Sequence, residues 1–211
     1  ALMAGWWAAR GVHVYLITFR TAPDDFPLHP GVRRILLKDY LVQDAPVIPE
    51  WPQESCNIHA LRHAFLDILH AEDAIACLPV ISFLARMNMR CLLAIQGLPC
   101  NIVISERTYP PAVFLGEHEE ALRRALYPQA DALVVQTSYT KKHWGISLVG
   151  EKKCHSIANP FLPGASPHAA QVPHHCERYF LAIGRLSRSK RHDILLQAFA
   201  PLAQTDPSLH L

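Results

Sequence analysis

No apolar run in this chain approaches the roughly 20 residues that a helix needs to cross a bilayer, so no membrane-spanning helix is expected. Paired cysteine motifs are also missing. Cys56, Cys77, Cys91, Cys100, Cys154 and Cys176 are spread along the chain and none forms a C-x-x-C pair. That spacing argues for buried thiols in a reducing compartment over a disulfide framework. Neither sign of charge dominates: 20 basic residues stand against 18 acidic ones, for a net charge of +2. This is too little to imply a nucleic-acid partner, and any basic site must be local. There is no initiating Met and no basic segment leading into an apolar one, so no signal peptide is expected and a cytoplasmic location follows.

What is present is the composition of a globular protein, with half of the residues apolar and 18% charged. At 211 residues the chain has room for one large domain, or for one domain and part of another. "ALMAGWWAAR" reads as a helix ended by Gly11, and "VHVYLITF" as the strand after it. "HPGVRRILL" reads as a strand behind a Pro-Gly turn, and the proline-rich "APVIPEWPQES" as a loop. From Ser55, a candidate N-cap, "IHALRHAFLDILHA" places Ile58, Leu61, Phe65, Ile68 and Leu69 on one helical face.

The theme then repeats. "PVISFL" is a short strand, "ARMNMRCLLAIQG" a helix closed by Gly97, and "CNIVISE" a strand. "EHEEALRRALYPQA" is a helix with acids in its first turn and bases in its last, as the helix dipole favours. "DALVVQTS" is a buried strand, Ser138 is a candidate cap for "YTKKHWG", and "KCHSIAN" is a further strand. Strands alternating with helices in this way predict a Rossmann-like, doubly wound parallel α/β sheet. The first domain is expected over residues 1–158. Residues 159–177 hold four prolines and no periodicity and read as an interdomain linker; residues 178–211 then begin a second β-turn-α unit.

That second unit contains the most informative stretch, "FLAIGRLSRSKRHDILLQAF". Ligands of open α/β sheets bind outside the carboxyl ends of the strands, where backbone N–H groups and a helix N-terminus face an anion. Gly184 permits a sharp turn at that edge, Arg185 follows it, and Lys190 is expected to begin the helix. Two cations there would stabilise charge developing on a leaving phosphate. On pattern alone, a solvated basic loop explains the same residues equally well.

The stretch resembles the start of the C-terminal domain in family 4 (group 1) glycosyltransferases of GT-B fold, where a G-R-L turn precedes a lysine and an apolar helix ending in A-F. Earlier segments are similar to the same family in the same order: "AEDAIACLPVISFLARMNMRCLLA", "IVISERTYP", "QADALVVQTSYTKKHW" and "SIANPF". Together they cover most of residues 72–211. The resemblance implies a retaining, metal-independent transfer of a sugar from a nucleotide-diphosphate donor to a glycan or lipid-linked acceptor. It implies no cofactor, with the donor itself as substrate.

Carried over by position, Gly184, Arg185 and Lys190 would hold the donor diphosphate, while Ser105, Glu106 and Arg107 would line the acceptor side. The bland alternative for the latter three is a strand-end ion pair or helix cap. The family has glycine where this chain has Arg191. The family's glycine-rich loop before the first helix and its E-x7-E motif have no counterpart in these 211 residues, so the chain is read as truncated at both ends and inactive by itself. The absence of those motifs also supports the alternative, a non-catalytic α/β binding domain on this scaffold.

Other constellations weigh less. Cys154 and His155, with His174, His175 and Cys176, lack zinc-site spacing, and adjacent strand residues point to opposite faces; no metal site is expected. Trp6 and Trp7 are expected in the core. The alternative is that, with Leu2 and Met3 and helped by Arg33, Arg34, Lys38, Lys141 and Lys142, they touch the cytoplasmic face of a membrane. No serine sits in a nucleophile elbow, so no hydrolase is indicated.

Overall fold

The structure, a computed structural model, describes residues 2–19, 27–41, 55–72, 77–160, 178–188 and 190–211. Among them no helix is long and apolar enough to cross a membrane. The chain divides into two compact units, Ala1–Asn159 and Pro160–Leu211. Apart from Asn159 and Pro160, the predicted linker lies outside the described residues.

The first unit is α/β. In chain order it contains α1 (Leu2–Ala8), β1 (Val14–Thr18), β2 (Val32–Leu36), α2 (Ser55–Ala71), β3 (Leu78–Phe83), α3 (Ala85–Ala94), β4 (Cys100–Ser105), α4 (Glu117–Leu126) and β5 (Ala132–Val135). Then come α5 (Ser138–Thr140), a π-helical turn (Lys141–Gly145), α6 (Ile146–Val149) and β6 (Cys154–Ser156). Strands β3-β4-β5-β6 form a four-stranded, all-parallel sheet flanked by helices, while β1 and β2 pair in parallel as a separate ladder. This is the arrangement of a Rossmann-like fold.

The apolar periodicities account for the packing. On α2 the five residues expected on one face, Ile58, Leu61, Phe65, Ile68 and Leu69, are all buried. Ile58, Leu61 and Phe65 belong to a core that includes Met89 and Leu92 of α3, Ile102 and Ile104 of β4, and Leu133 and Val135 of β5. Each such side chain contributes about 1.5–3 kcal/mol by leaving water. Arg62 of α2 ties the layer together by donating to the carbonyls of Ala94 and Gln96 at 3.0 and 2.7 Å, which satisfies the end of α3. Gly11 and Gly97 adopt positive φ just past α1 and α3, the role assigned to both.

Three local expectations need correction. Trp6 is exposed, its ring covered by the Arg10 guanidinium at 3.5 Å, and Trp7 is half-buried. The i,i+4 spacing lets Arg10 cover the ring and also donate to the Trp6 carbonyl, so an exposed position is supported locally. The cap of α5 is Thr137, whose hydroxyl accepts from the Thr140 amide at 3.0 Å; Ser138 is already helical. The strand read over "RYFLAIG" is short. In the second unit β7 (Arg178–Tyr179) pairs only with the equally short β8 (Leu209–His210), followed in space by Phe180 donating to the His210 carbonyl. Between β7 and β8 in sequence lies α7 (His192–Thr205).

The π-helical turn ends against β6. Gly145 has an ordinary helical φ of −63°, where alanine is intrinsically favoured by about 1 kcal/mol. A Cβ there would collide with the sulfur of buried Cys154 on β6. Gly145→Ala is therefore expected to destabilise the protein by roughly 1–3 kcal/mol, read from urea denaturation midpoints. The same change should cost nothing when Cys154 is already alanine. A single variant with the wild-type midpoint would show that the contact is not limiting.

Candidate functional site

The chemistry of the first unit gathers at the carboxyl ends of β3, β4 and β5, where open parallel sheets bind ligands. At the end of β3, Leu84 has φ +75° and ψ 144°, a conformation strained for a residue with a Cβ. Its amide donates to the Ser105 carbonyl at 3.0 Å, and its carbonyl accepts from the Asn88 amide at 2.8 Å. The strained residue thus joins the ends of β3 and β4 to the start of α3.

At the end of β4 the predicted trio separates by depth. Ser105 and Glu106 are each only 2% exposed, whereas Arg107 is half-buried. Glu106 accepts a short hydrogen bond from the Tyr127 hydroxyl and lies 3.9 Å from the Arg123 guanidinium. Arg123 is itself buried and donates to Glu120 one turn earlier on α4. Asn88 donates to both the Tyr127 hydroxyl and the Ser105 carbonyl, at 3.2 Å each. Burial raises the Glu106 carboxyl above its ordinary value, against the opposing effects of the Tyr127 hydrogen bond and the Arg123 charge. Burial and the neighbouring Glu106 likewise push the Tyr127 phenol up.

Arg107 turns the other way. It donates to the side-chain carbonyl of Asn159, approaches the Ser105 hydroxyl at 3.5 Å, and lies 5.7 Å from the centre of the Phe83 ring. It has no carboxylate partner among the described residues. Of the three residues it alone presents a polar group toward the edge of the sheet.

Residues not singled out from sequence complete this edge. Tyr109, four residues beyond β4, and Tyr139, four beyond β5, bring their rings to 5.8 Å. His143 stacks on Tyr139 at 4.3 Å. The signal available in the sequence was the placement of each tyrosine just after a strand; that the two loops adjoin depends on strand order.

The second unit holds the other predicted group. Gly184 and Lys190 come together: a Cβ on Gly184 would lie 3.3 Å from the Lys190 Cγ and 3.3 Å from the His192 Nε2. Arg185 and Lys190 are both exposed, with no carboxylate partner among the described residues. Helix α7 starts at His192, two residues later than expected, because Arg191 takes a left-handed conformation (φ 49°, ψ 41°). The Arg191 side chain makes no cap bond to that helix; the Asp193 carboxylate accepts from the amides of Asp193 and Ile194 in its first turn. Arg191 instead forks onto Asp193 at 3.2 and 3.1 Å, and this hydrogen bonding lowers the Asp193 pKa. On β6, Cys154 is buried and His155 exposed, the alternation that argued against a shared metal.

Comparison with models of known protein families finds no match for this chain, and comparison with curated proteins finds none either. Fold and site define a parallel α/β unit with a polar and aromatic carboxyl edge, followed by a unit with a cationic glycine turn.

Because the folded pKa of Glu106 is raised, the folded state holds this proton more tightly than the unfolded chain. Its contribution to stability is full below the ordinary value of 4.5 and is lost as pH rises through the folded pKa. Glu106→Gln should abolish that dependence, so the stability difference between variant and wild type should shift in the variant's favour from pH 4 upward. Parallel pH profiles in chemical denaturation would contradict it. Tyr127→Phe, which strips the carboxylate of its buried donor, is expected to cost roughly 1–3 kcal/mol.

Proposed function

We propose that this chain is part of a glycosyltransferase of GT-B fold, in which the first unit serves the acceptor and the second grips the diphosphate of a nucleotide-sugar donor. The observation that carries the reading is the turn at Gly184. The Lys190 stem packs over the glycine, Arg185 follows directly, and neither cation is neutralised by a carboxylate among the described residues. Beside them lies the positive end of the α7 dipole, where the Asp193 carboxylate already accepts from first-turn amides and would give way to a bound diphosphate. Such a pair of cations compensates charge as the bond between the anomeric carbon and the diphosphate oxygen breaks. Arg191, engaged by Asp193, is left out of the phosphate-binding pair.

On the acceptor side the half-buried Arg107 is the residue assigned to ligand contact, with Ser105 and Glu106 holding the strand end beneath it. That same burial favours a second reading. With Glu106 sealed inside, the edge presents no exposed acid from the predicted trio, as expected of a binding domain that performs no chemistry.

Calorimetric titration with UDP, GDP, ADP and inorganic pyrophosphate tests the main reading. Charged hydrogen bonds contribute about 1.5–3 kcal/mol each, so Arg185→Ala or Lys190→Ala should weaken diphosphate binding roughly ten- to hundred-fold. Gly184→Ala should weaken it too, by displacing the Lys190 stem. Unchanged affinity in the Arg185→Ala, Lys190→Ala double variant would overturn the assignment. Diphosphate binding without sugar transfer to any acceptor by the full-length protein would favour the binding domain.

A further inference from the structure

Aromatic rings in this chain are repeatedly covered by guanidinium groups. Arg10 lies over Trp6, Arg33 over Tyr15, Arg90 over Phe19, Arg107 over Phe83 and Arg123 over Trp144, at 3.5 to 5.7 Å. Tyr109 and Tyr139, like exposed Phe114, Tyr179 and Phe180, are not among the covered rings, but of these it is Tyr109 and Tyr139 that meet each other. Tyr139 is 60% exposed and Tyr109 37%, although each lies against another ring. Tyr109 lies in the segment after β4 and Tyr139 in α5 after β5, at the carboxyl ends of adjacent parallel strands where open sheets bind ligands.

Two further features mark the same edge. Leu84 holds its strained conformation at the end of β3, and strain of this kind persists where surrounding structure over-determines it, often at ligand sites. The π-helical turn begins two residues after Tyr139 and contains His143, which it sets against the Tyr139 ring. Such turns are rare and recur at functional sites.

We propose that Tyr109, Tyr139 and His143 form a shelf that binds a pyranose ring. A pyranose has an apolar C–H face and a rim of hydroxyls. An exposed tyrosine meets both, burying the C–H face against its ring while its own hydroxyl and a neighbouring imidazole reach the rim. Two of the three shelf groups offer a flat ring face and a hydroxyl, where the turn at Gly184 offers cations, which suits a sugar ring better than a bare phosphate. Identifying this ring with the acceptor rests on the sugar-transfer reading; the binding itself does not.

Saturation-transfer difference NMR tests the shelf directly, with methyl glucopyranoside, methyl galactopyranoside, methyl mannopyranoside and N-acetylglucosamine as millimolar probes and uridine as a competitor class. At least one sugar is expected to receive saturation on its ring C–H protons. The signal should fall at least fivefold in Tyr139→Ala and survive in Tyr139→Phe, which keeps the ring and the fold. It should also survive in the Arg185→Ala, Lys190→Ala variant. No transfer to any of the four sugars, an unchanged signal in Tyr139→Ala, or transfer through Tyr139 to uridine alone would overturn the proposal. Sugar binding at the shelf with no diphosphate binding in unit two would overturn the glycosyltransferase reading and leave the shelf standing.

Discussion

The arrangement of the first unit depends on keeping one carboxylate, that of Glu106, out of water at the end of β4. An ionised carboxylate without partners costs several kcal/mol in such a place. Tyr127 and Arg123 offset that cost, and Asn88 holds Tyr127 in turn by donating to its hydroxyl; the three come from the turn after α4, α4 itself and α3. Satisfying Glu106 therefore locks both helices to the strand end. The Glu106 amide also donates to the Val134 carbonyl, which carries the lock across to β5. Arg107 leaves this rigid base and is held further by Asn159 and Phe83, so its position is fixed before any ligand arrives.

Much of this architecture was legible because period and punctuation agreed. The buried face of α2, the glycine stops after α1 and α3, and the four strands β3 to β6 all follow from spacing of apolar residues and turn chemistry. Where local rules competed, reading failed. Ser138 and Thr137 are both good caps, and only the backbone decides that Thr137 has the extended conformation a cap needs. Trp6 looked like core by residue type, but Arg10 four residues on gives it a supported place at the surface. β7 is short because its partner β8 offers only two residues to pair with.

The site was less legible than the fold, for a related reason. Alternation in β4 placed Ser105, Glu106 and Arg107 at a strand end but could not say how deep each lies, since depth is set by α3 and α4. The contact between Tyr109 and Tyr139 needed β4 beside β5, a fact of topology. Leu84 gave no signal at all, because nothing in a leucine announces a positive φ; its conformation follows from bonds at both its amide and its carbonyl. In the second unit the opposite holds. Glycine, two cations and a helix start lie within nine residues, so sequence alone brought Gly184 and Lys190 together.

The two units present chemically different surfaces. The turn at Gly184 concentrates positive charge through Arg185 and Lys190, which the proposed reading assigns to a diphosphate. On that same proposed reading, a neutral hydroxyl acceptor asks for orientation with little charge, since clustered cations would attract anionic ligands instead. Tyrosine rings without a guanidinium over them, with an arginine beside Phe83, would meet that need, because flat apolar contact orients a ring while a guanidinium reaches its hydroxyls. If the proposed reading holds, placing charge in one unit and aromatic surface in the other would let each favour its own substrate class and reject the other's.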